Sequence, residues 1–463
     1  MRPNVVRMQE KPWLVVAGGG TAGHVLPALA VAENLSLQGL KPSDVLFVGS
    51  RRGIEGRLVS EAGFPIVLLP GRGIQRTVSV GNLKNVVGLL AAFVRAFILL
   101  VRNRPAVVFS VGGYASVPCA FSAVLLRIPL VLAESNAKSG VAIRSVARFA
   151  KATATAFDTT GLPRTVLVGN PVRSSVIELG RALARSHETI GHAQLQMGEA
   201  DPQTKSNAQL QMSEADPQTK SNAESQTAGA GDSQTSTNKT STNKARLSSR
   251  HDLGVPDNVP MVAVFGGSLG ARQINNVVFE LCERWFDREL VVHHVVGDRD
   301  FDSANVWFSE FRNTSPANRL DYRQVRYENR MDLVYGAADV VVCRAGATSI
   351  ADLAIVGMPA ILIPLPSATE DHQSANASAV AAEGACIHLP QSELSVDRLA
   401  TEIDSLLHDP QRRYNMAEAQ RRRSRPNAAA DVAALLTKFA SRPIPTTGAT
   451  SALSHEAIGH HDS

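Results

Sequence analysis

Two glycine-rich segments hold the residues whose types and spacing are best suited to chemistry. The first, Gly18–His24, reads GGGTAGH and follows a short apolar run. Glycines let the backbone approach a ligand closely, and the start of the following helix offers N–H groups to a phosphate or diphosphate. His24 lies in the first turn of that predicted helix, where an imidazole can act as a general base near neutral pH. A local capping or packing role is the alternative for this histidine.

The same segment also satisfies the fingerprint of dinucleotide-binding proteins, with glycines at positions 18, 20 and 23. Arg51 and Arg52 follow the second predicted strand, where an NADP-dependent enzyme would hold the 2′-phosphate. A second glycine loop, Gly266–Arg272, also follows an apolar strand. Two such loops favour a cleft for two substrates, because a nicotinamide enzyme would need only one.

Two further segments place polar side chains after predicted strands. In Cys343–Asp352, a strand is followed by small residues and then by a helix with Thr and Ser near its start. A carboxylate at Asp352 can accept both hydroxyls of a ribose, although an acid favoured by the helix dipole is the alternative. In Glu370–Asn376, the amides of Gln373 and Asn376 share one helix face and suit sugar hydroxyls.

The elements that must position these residues alternate between strands and helices in both halves of the chain. This alternation predicts an α/β protein with two doubly wound, Rossmann-like domains on parallel sheets. Apolar runs predict strands at Trp13–Ala17, Asp44–Val48, Ile66–Leu69, Ala106–Ser110, Leu130–Ala133, Met261–Phe265, Leu290–Val296, Val340–Cys343 and Ala360–Ile363.

A polar segment separates the two halves. Residues 193–207 recur almost unchanged as residues 208–222, and the stretch 191–254 contains no Val, Ile, Phe, Trp or Tyr. Because such a duplication cannot bury a core, it predicts a disordered insertion. The predicted boundaries are an N-terminal domain at 1–180, an insertion and linker at 181–257, a C-terminal domain at 258–425, and a C-terminal helix with a loose tail at 426–463.

Composition and charge narrow the classes of function. The chain of 463 residues has four cysteines without a CxxC pair, so a disulfide scaffold or zinc site is not expected and a reducing compartment fits. The N-terminus lacks the apolar region of a secretory signal. Residues 51–104 contain nine Lys or Arg against two Asp or Glu. Such a stretch suits nucleic acid, phosphates or an anionic membrane, and a solvated basic face is the alternative.

Taken in order, these segments resemble the UDP-N-acetylglucosamine–N-acetylmuramyl-(pentapeptide) pyrophosphoryl-undecaprenol N-acetylglucosamine transferases, the family that converts lipid I to lipid II. The resemblance covers both halves of the chain and leaves out the polar insertion. The matching stretches are GGGTAGHVLPALAVA (18–32), SVGGYASVP (110–118), VGNPVR (168–173), GGSLGA (266–271), ADVVVCRAGA (338–347) and EDHQSANA (370–377).

The resemblance implies a GT-B fold, in which two Rossmann-like domains face each other across a cleft. It also implies an inverting transfer of N-acetylglucosamine from UDP-N-acetylglucosamine to the 4-hydroxyl of the muramyl sugar of lipid I. No metal or other cofactor is expected, and the DxD-like run Asp298–Asp300 is a weak metal candidate. The implied setting is peptidoglycan synthesis, and hence cell shape and division, at the cytoplasmic face of the inner membrane. The expected partners are an anionic membrane surface and a complex of cell-wall synthesis enzymes, with no nucleic acid.

The resemblance also assigns roles to single residues. His24 is the first candidate for the base that deprotonates the acceptor, and Glu134 is the second. Arg344 is expected to meet the developing diphosphate charge. The implied substrate-binding residues are Thr21, Ala22 and Gly23 at the donor sugar and diphosphate, Asn136 and Arg173 along the N-terminal side of the cleft, Ser268 at the donor phosphates, Asp352 at the ribose, and Gln373 and Asn376 at the N-acetylglucosamine.

The sequence departs from the family in two places. Ala133–Asn136 reads AESN where the family often has His-Glu-Gln-Asn, and Asp352 stands where a glutamate is usual. Two other functions therefore stay open here, a GT-B transferase for another lipid acceptor and a non-catalytic subunit that binds a nucleotide sugar. The retained His24 argues against the subunit, and the second glycine loop argues against an NADP oxidoreductase.

One apolar stretch, Asn85–Val101, predicts a helix with a possible membrane role. It is short for a spanning helix and carries Arg95 near its middle, so a helix lying at the interface is expected, with burial in the core as the alternative. The residues expected to dip into the acyl boundary are Val86, Leu90, Phe93, Phe97 and Val101.

Overall fold

A computed structural model describes residues 11–51, 53–70, 80–158, 161–185, 244–267, 271–314, 319–366 and 371–445. They form two domains, each on one parallel sheet. The N-terminal sheet has the order β3-β2-β1-β4-β5-β6-β7. Its strands are β1 Leu14–Ala17, β2 Val45–Ser50, β3 Ile66–Leu69, β4 Val107–Ser110, β5 Leu130–Glu134, β6 Ala152–Thr155 and β7 Thr165–Leu167.

The C-terminal sheet repeats this plan in the order β10-β9-β8-β11-β12-β13. Its strands are β8 Met261–Phe265, β9 Leu290–Val295, β10 Leu320–Val325, β11 Val340–Cys343, β12 Ala360–Leu362 and β13 Ile387–His388. In both sheets the strand order reverses beside the first strand, which opens a crevice above the carboxyl ends of the strands. The two glycine loops follow β1 and β8, so each lies at such a crevice.

Helices cover both faces of the sheets. Those of the first half are α1 Ala22–Leu37, α2 Glu55–Glu61, α3 Val80–Asn103, α4 Ser116–Leu125, α5 Val141–Val146 and α6 at 174–185. Those of the second half are α7 at 244–252, α8 Arg272–Arg284, α9 Phe301–Thr314, α10 Met331–Ala337, α11 Ala347–Val356, α12 His372–Ala382, α13 Val396–Leu407, α14 Pro410–Arg423 and α15 Ala428–Phe439.

The two predicted doubly wound domains are confirmed, and every predicted strand is present to within two residues at each end. The central strands were predictable because burial on both faces makes them continuous apolar runs, as in β1 and β8. The strands that the sequence did not predict lie nearer the sheet edges. β7 is exposed along its length, and β10 alternates buried with half-buried residues, including the charged Asp321 and Arg323.

The structure has a helix at each end of the predicted linker at 181–257. Helix α6 crosses the boundary at 180, and Val176 packs into the C-terminal core with Met261 and Leu353. Helix α7 lies inside the predicted linker, where the Arg250 guanidinium is buried and donates to the carbonyls of Ala337 and Pro256. The polar sequence of α7 hid this packing, since its buried contacts are made largely by hydrogen bonds. Residues 186–243 lie outside the described residues.

The C-terminal helix α15 returns to the N-terminal domain. Val432, Ala433 and Leu436 pack in the same buried cluster as Val25 and Leu29 of α1. The domain predicted to end at residue 180 is therefore completed by residues more than two hundred positions later in the chain. The tail after residue 445 lies outside the described residues.

The exposed apolar face of α3 includes the predicted Leu90 and Val101 but not Phe93 and Phe97. Phe93 and Phe97 are half-buried, because Ala92, Ala96 and Leu100 on the neighbouring face are packed in the core. The exposed apolar residues of α3 are Leu90, Val94, Ile98 and Val101. The side chain of Val86 is outside the described part. Within the described ranges, no helix has the length and apolar character that crossing a membrane requires.

Candidate active site

The loop after β1 is shaped by its glycines. Gly18, Gly19 and Gly20 all have positive φ, and a Cβ at Gly18 would lie 2.5 Å from the carbonyl oxygen of Gly112. The backbone N–H of Gly19 donates to that same carbonyl at 3.3 Å. The loop after β1 therefore packs directly on the turn after β4, an approach that a side chain would block.

A buried carboxylate lies beneath this loop. Glu55, at the start of α2, accepts the N–H of Gly20 at 3.0 Å and the N–H of Ser50 at 2.7 Å. In a dinucleotide-binding loop, N–H groups of this kind face the phosphates. Here the Gly20 N–H is donated to a protein carboxylate, so it is not offered to a diphosphate. Sequence reasoning missed Glu55, because one glutamate after two arginines carries no visible signal of burial.

His24 lies at the first turn of α1, as predicted, and faces the cleft. Its Nδ1 is 3.2 Å from Thr21 Oγ1, and a Cβ at Gly112 would lie 3.3 Å from its Nε2. Burial lowers the pKa of His24 below its usual value, although a hydrogen bond to the backbone of Gly19 opposes this shift. His372 lowers the pKa further, and Glu55 raises it. The imidazole is therefore largely neutral at pH 7, the form that a general base needs.

Glu134 lines the same crevice as His24, but its carboxylate is fully engaged by the protein. Oε1 accepts the backbone N–H of Asn136 at 3.0 Å and its side-chain amide at 3.1 Å, while Oε2 accepts the N–H of Gly140 at 2.8 Å. The structure therefore favours a different role from the expected second base. Glu134 shapes the loop between β5 and α5 and orients Asn136 toward the C-terminal domain.

Asn376 connects the two domains. It is fully buried, and its Oδ1 accepts the N–H of Ala137 at 2.8 Å. Its Nδ2 donates to Asn136 Oδ1 and to the carbonyl of Ala345, each at 3.1 Å. The expected contact between this amide and a donor sugar is not open in this arrangement, since both ends of the amide already have protein partners. A sugar would reach Asn376 only after the two domains move apart.

Arg344 and Gln373 hold the turn after β12. The buried Arg344 guanidinium donates to the carbonyls of Ile363 and Pro364 at 3.1 and 2.9 Å, and burial lowers its pKa to about 10. Gln373 Oε1 accepts the N–H of Leu365 at 3.0 Å. Both contacts use Nη1, and the expected contact of Arg344 with the diphosphate stays a prediction. Its charge remains close to the cleft, because Ala345 follows it directly and bonds to Asn376.

Asp352 is buried on α11, next to a cation from the other half of the chain. Arg173 Nη2 lies 4.0 Å from its Oδ2, and the Tyr335 hydroxyl donates to the same oxygen at 3.3 Å. Burial raises the pKa of Asp352 to about 7, against the lowering influence of Arg173 and Tyr335. Its Oδ1 has no hydrogen-bond partner among the described residues, which leaves an acceptor for a ligand hydroxyl.

Two further polar groups of the C-terminal domain face loops of the N-terminal domain. Thr348 Oγ1 would lie 3.7 Å from a Cβ at Gly23, and His372 Nε2 would lie 3.9 Å from a Cβ at Gly140. Within the described ranges, neither Thr348 Oγ1 nor His372 Nδ1 has a hydrogen-bond partner. Both residues lie in segments that the sequence singled out, but only the fold shows which side chains reach the cleft.

The remaining predicted positions differ in what the structure shows of them. Thr21 is exposed and Ala22 and Gly23 are half-buried at the start of α1. Ser268 lies outside the described residues. Asp300, of the DxD-like run, accepts from Arg272 at 3.0 Å and from Asn275 at 3.2 Å, so its carboxylate organises the start of α8.

Known proteins resemble this chain in both sequence and fold. Residues 14–155 match the model of the glycosyltransferase family 28 N-terminal domain, and residues 261–432 match that of the family 28 C-terminal domain. A solved structure, the MurG protein of Acinetobacter baumannii, has a TM-score of 0.61 at 24% identity and covers 92% of this chain and 99% of its own. The glycotransferase of kitacinnamycin has a TM-score of 0.57 at 13% identity, covering 93% and 100%. These likenesses confirm the GT-B arrangement of the two domains.

Curated relatives are closer in sequence. UDP-N-acetylglucosamine–N-acetylmuramyl-(pentapeptide) pyrophosphoryl-undecaprenol N-acetylglucosamine transferase of Anaeromyxobacter dehalogenans is 32% identical over 93% of both chains. The protein of the same name from Alkalilimnicola ehrlichii is 34% identical over 91% of this chain and 97% of its own. Coverage of more than 90% of this chain means that the likeness extends over both domains. The chain therefore belongs to the family of UDP-N-acetylglucosamine–N-acetylmuramyl-(pentapeptide) pyrophosphoryl-undecaprenol N-acetylglucosamine transferases.

Proposed function

We propose that the cleft transfers N-acetylglucosamine from UDP-N-acetylglucosamine to the 4-hydroxyl of the muramyl sugar of lipid I, giving lipid II. The observation that carries this proposal is the identity of more than 30% with transferases of that name along both domains. The geometry supports it, because a neutral histidine of one domain faces the buried polar groups of the other. A cleft built from both domains suits a reaction of two substrates better than simple storage of one.

The reaction is a single displacement with inversion. The acceptor oxygen forms a bond to the anomeric carbon while the bond from that carbon to the β-phosphate oxygen breaks, and the electron pair leaves on UDP. The acceptor proton passes to Nδ1 of His24, the ring nitrogen that faces the exposed Thr21 hydroxyl. Backbone N–H groups at the start of α11, and Ser268 in the loop after β8, meet the charge that develops on the diphosphate.

The donor is held by the C-terminal domain. Asp352 accepts from the ribose hydroxyls through its unpartnered Oδ1, and Arg173 stays beside it as the counter-charge. Gln373 and Asn376 on α12 bind the N-acetylglucosamine after the domains open far enough to admit it. Asn136 then lines the acceptor side of the cleft, where Glu134 orients it.

We further propose that the enzyme docks on the cytoplasmic face of the membrane through α3. Leu90 is 62% exposed and Val94 is 54% exposed, on neighbouring turns of the helix. They begin an exposed apolar stripe that continues to Ile98 and Val101. Arg95 and Arg102 are exposed on the same helix. An apolar stripe flanked by arginines suits an anionic interface, and a lipid-linked acceptor would be met there in two dimensions.

Replacing His24 with alanine tests the assignment of the base. Transfer from labelled UDP-N-acetylglucosamine to a short-chain lipid I analogue is expected to fall about a hundredfold to ten-thousandfold, the usual contribution of a positioned base. The affinity for UDP-N-acetylglucosamine should stay close to that of the wild type, since the donor is held by the other domain. His251→Ala, at an exposed histidine outside the cleft, is the matched control. Turnover of His24→Ala within a few-fold of the wild type would rule out the assignment.

The pKa of Asp352, raised to about 7 by burial, predicts a pH dependence of donor binding. Only the carboxylate accepts from two ribose hydroxyls, so UDP-N-acetylglucosamine should bind more tightly as the pH rises through 7 and then level off. The limiting slope is about tenfold in Kd per pH unit below the pKa. Titration calorimetry between pH 6 and pH 8.5 measures it. Asp352→Asn should bind more weakly and lose the slope, whereas an equal slope in both proteins would show that another group titrates.

Charge introduced on the exposed stripe tests membrane docking. Leu90→Glu combined with Val94→Glu is expected to abolish co-sedimentation with anionic vesicles, and binding of the wild type should weaken with salt, at about 1 kcal/mol for each basic residue near the surface. Transfer to a water-soluble acceptor should not change, because the stripe is outside the cleft. Val306→Glu, at an exposed valine of the C-terminal domain, is the control. Equal vesicle binding by the double variant and the wild type would exclude α3 as the docking surface.

A further inference from the structure

The carboxylate of Glu55 is deeply buried beneath the loop after β1. The residue is 1% exposed, and its two oxygens accept backbone N–H groups of Ser50 and Gly20. A Cβ at Gly19 would lie 2.7 Å from the carboxyl group and one at Gly53 only 1.7 Å from it, while one at Gly49 would lie 2.4 Å from Cγ of the same side chain. Three glycines therefore surround one carboxylate, which indicates a site built to hold a negative charge against the loop after β1.

The other side of this loop holds His24. Nδ1 of the imidazole is 3.2 Å from Thr21 Oγ1 at the end of the loop, and a Cβ at Gly112 would lie 3.3 Å from Nε2. The N–H of Gly19 donates to the carbonyl of Gly112 at 3.3 Å, so the loop also holds the turn that lies against Nε2. The loop after β1 therefore contacts one side of the ring and supports the residue on its other side.

Glu55 fixes this loop through its backbone. The carboxylate accepts the N–H of Gly20, which stands between the Gly19 that packs on Gly112 and the Thr21 that meets Nδ1. The arrangement is similar to a catalytic dyad, in which a buried acid fixes the orientation of a histidine, except that the acid here acts through the backbone.

We propose that Glu55 is a positioning residue for His24 and acts through the loop after β1, which it holds against both sides of the imidazole. The inference rests on the proposed role of His24 as the base and assigns a further residue to the same reaction. The loop after β1 then supports the base, which explains why its Gly20 N–H is committed to a carboxylate.

The charged and titratable groups around His24 set the expected direction of change. They are Glu55 on α2, His372 on α12 and Glu134 at the end of β5, which lines the same crevice. Removing the charge of Glu55 removes one of the influences that raise the pKa of His24, so this pKa should fall. Since the base works unprotonated, the acid limb of the pH–rate profile should then move to lower pH.

The experiment is a nitrogen-15 NMR titration of the histidine side chains in the full chain, with His24 assigned from the spectrum of His24→Ala. In Glu55→Gln, the pKa of His24 should fall by about half a unit or more. The control is Glu61→Gln, an exposed carboxylate at the end of the same helix, which should leave the titration unchanged.

Kinetics separate positioning from simple loss of structure. Glu55→Gln is expected to lower kcat about tenfold or more, with KM for UDP-N-acetylglucosamine nearly unchanged and the acid limb moved to lower pH. Because Glu55 acts only through His24, adding Glu55→Gln to His24→Ala should cost little further activity. A structural role alone would lower the active fraction without moving the pH profile, and that result would overturn the proposal.

The remaining outcomes also decide the matter. An unshifted His24 titration in Glu55→Gln overturns the positioning role. A shifted titration with an unmoved pH–rate limb supports positioning and instead overturns His24 as the base. If Glu55→Gln does not fold, Glu55→Asp carries the test. Its carboxylate is set back by one methylene, so the pKa of His24 should fall part of the way, and no change would overturn the proposal.

Discussion

The buried amide of Asn376 is the interaction on which the closed cleft depends. Its oxygen and nitrogen bond to both domains at once, to Ala137 and Asn136 on one side and to Ala345 on the other. A buried amide that loses such partners is costly, since each unsatisfied polar group costs about 1–3 kcal/mol. The closed arrangement is therefore favoured strongly enough to define the cleft, yet it is made of few bonds and can open for a substrate.

The contacts on either side of Asn376 are consequences of the same closure. His372 lowers the pKa of His24, and Arg173 approaches Asp352, only because the carboxyl ends of the two sheets face each other. Helices α6 and α15 each leave the half of the sequence to which they belong and pack on the opposite domain. The two domains are thus joined by exchanged helices as well as by the contacts across the cleft.

Sequence patterns predicted the parts of this structure that depend on periodicity. Continuous apolar runs located β1 and β8, and the glycines after them located the crevice at which the strand order reverses. The pattern could not show which atoms would become partners across the crevice. Asn376, Arg344 and Glu134 were expected to contact substrates, and in the closed structure all three bond to backbone.

The elements that the sequence missed have a common cause. Helix α7 and strand β10 are polar, and their burial comes from long-range hydrogen bonds such as that of Arg250 to Ala337. The role of Glu55 could not be predicted for the same reason. Its carboxylate is surrounded by three glycines and a backbone N–H that only the fold brings together. The types of the residues that follow the strands were therefore enough to locate the site. Which of its groups react and which support them could be seen only in the structure.

Hydrogen exchange at the backbone amide of Ala137 tests most directly whether Asn376 closes the cleft. This N–H donates to Asn376 across the domain boundary, whereas the nearby N–H of Gly140 donates to Glu134 within one domain. The account predicts that Ala137 is protected in the wild type, and that Asn376→Ala speeds its exchange about tenfold or more while Gly140 is unaffected. Exchange of Ala137 at the same rate in both proteins would contradict the account, because it would mean that the cleft is open in solution without this amide.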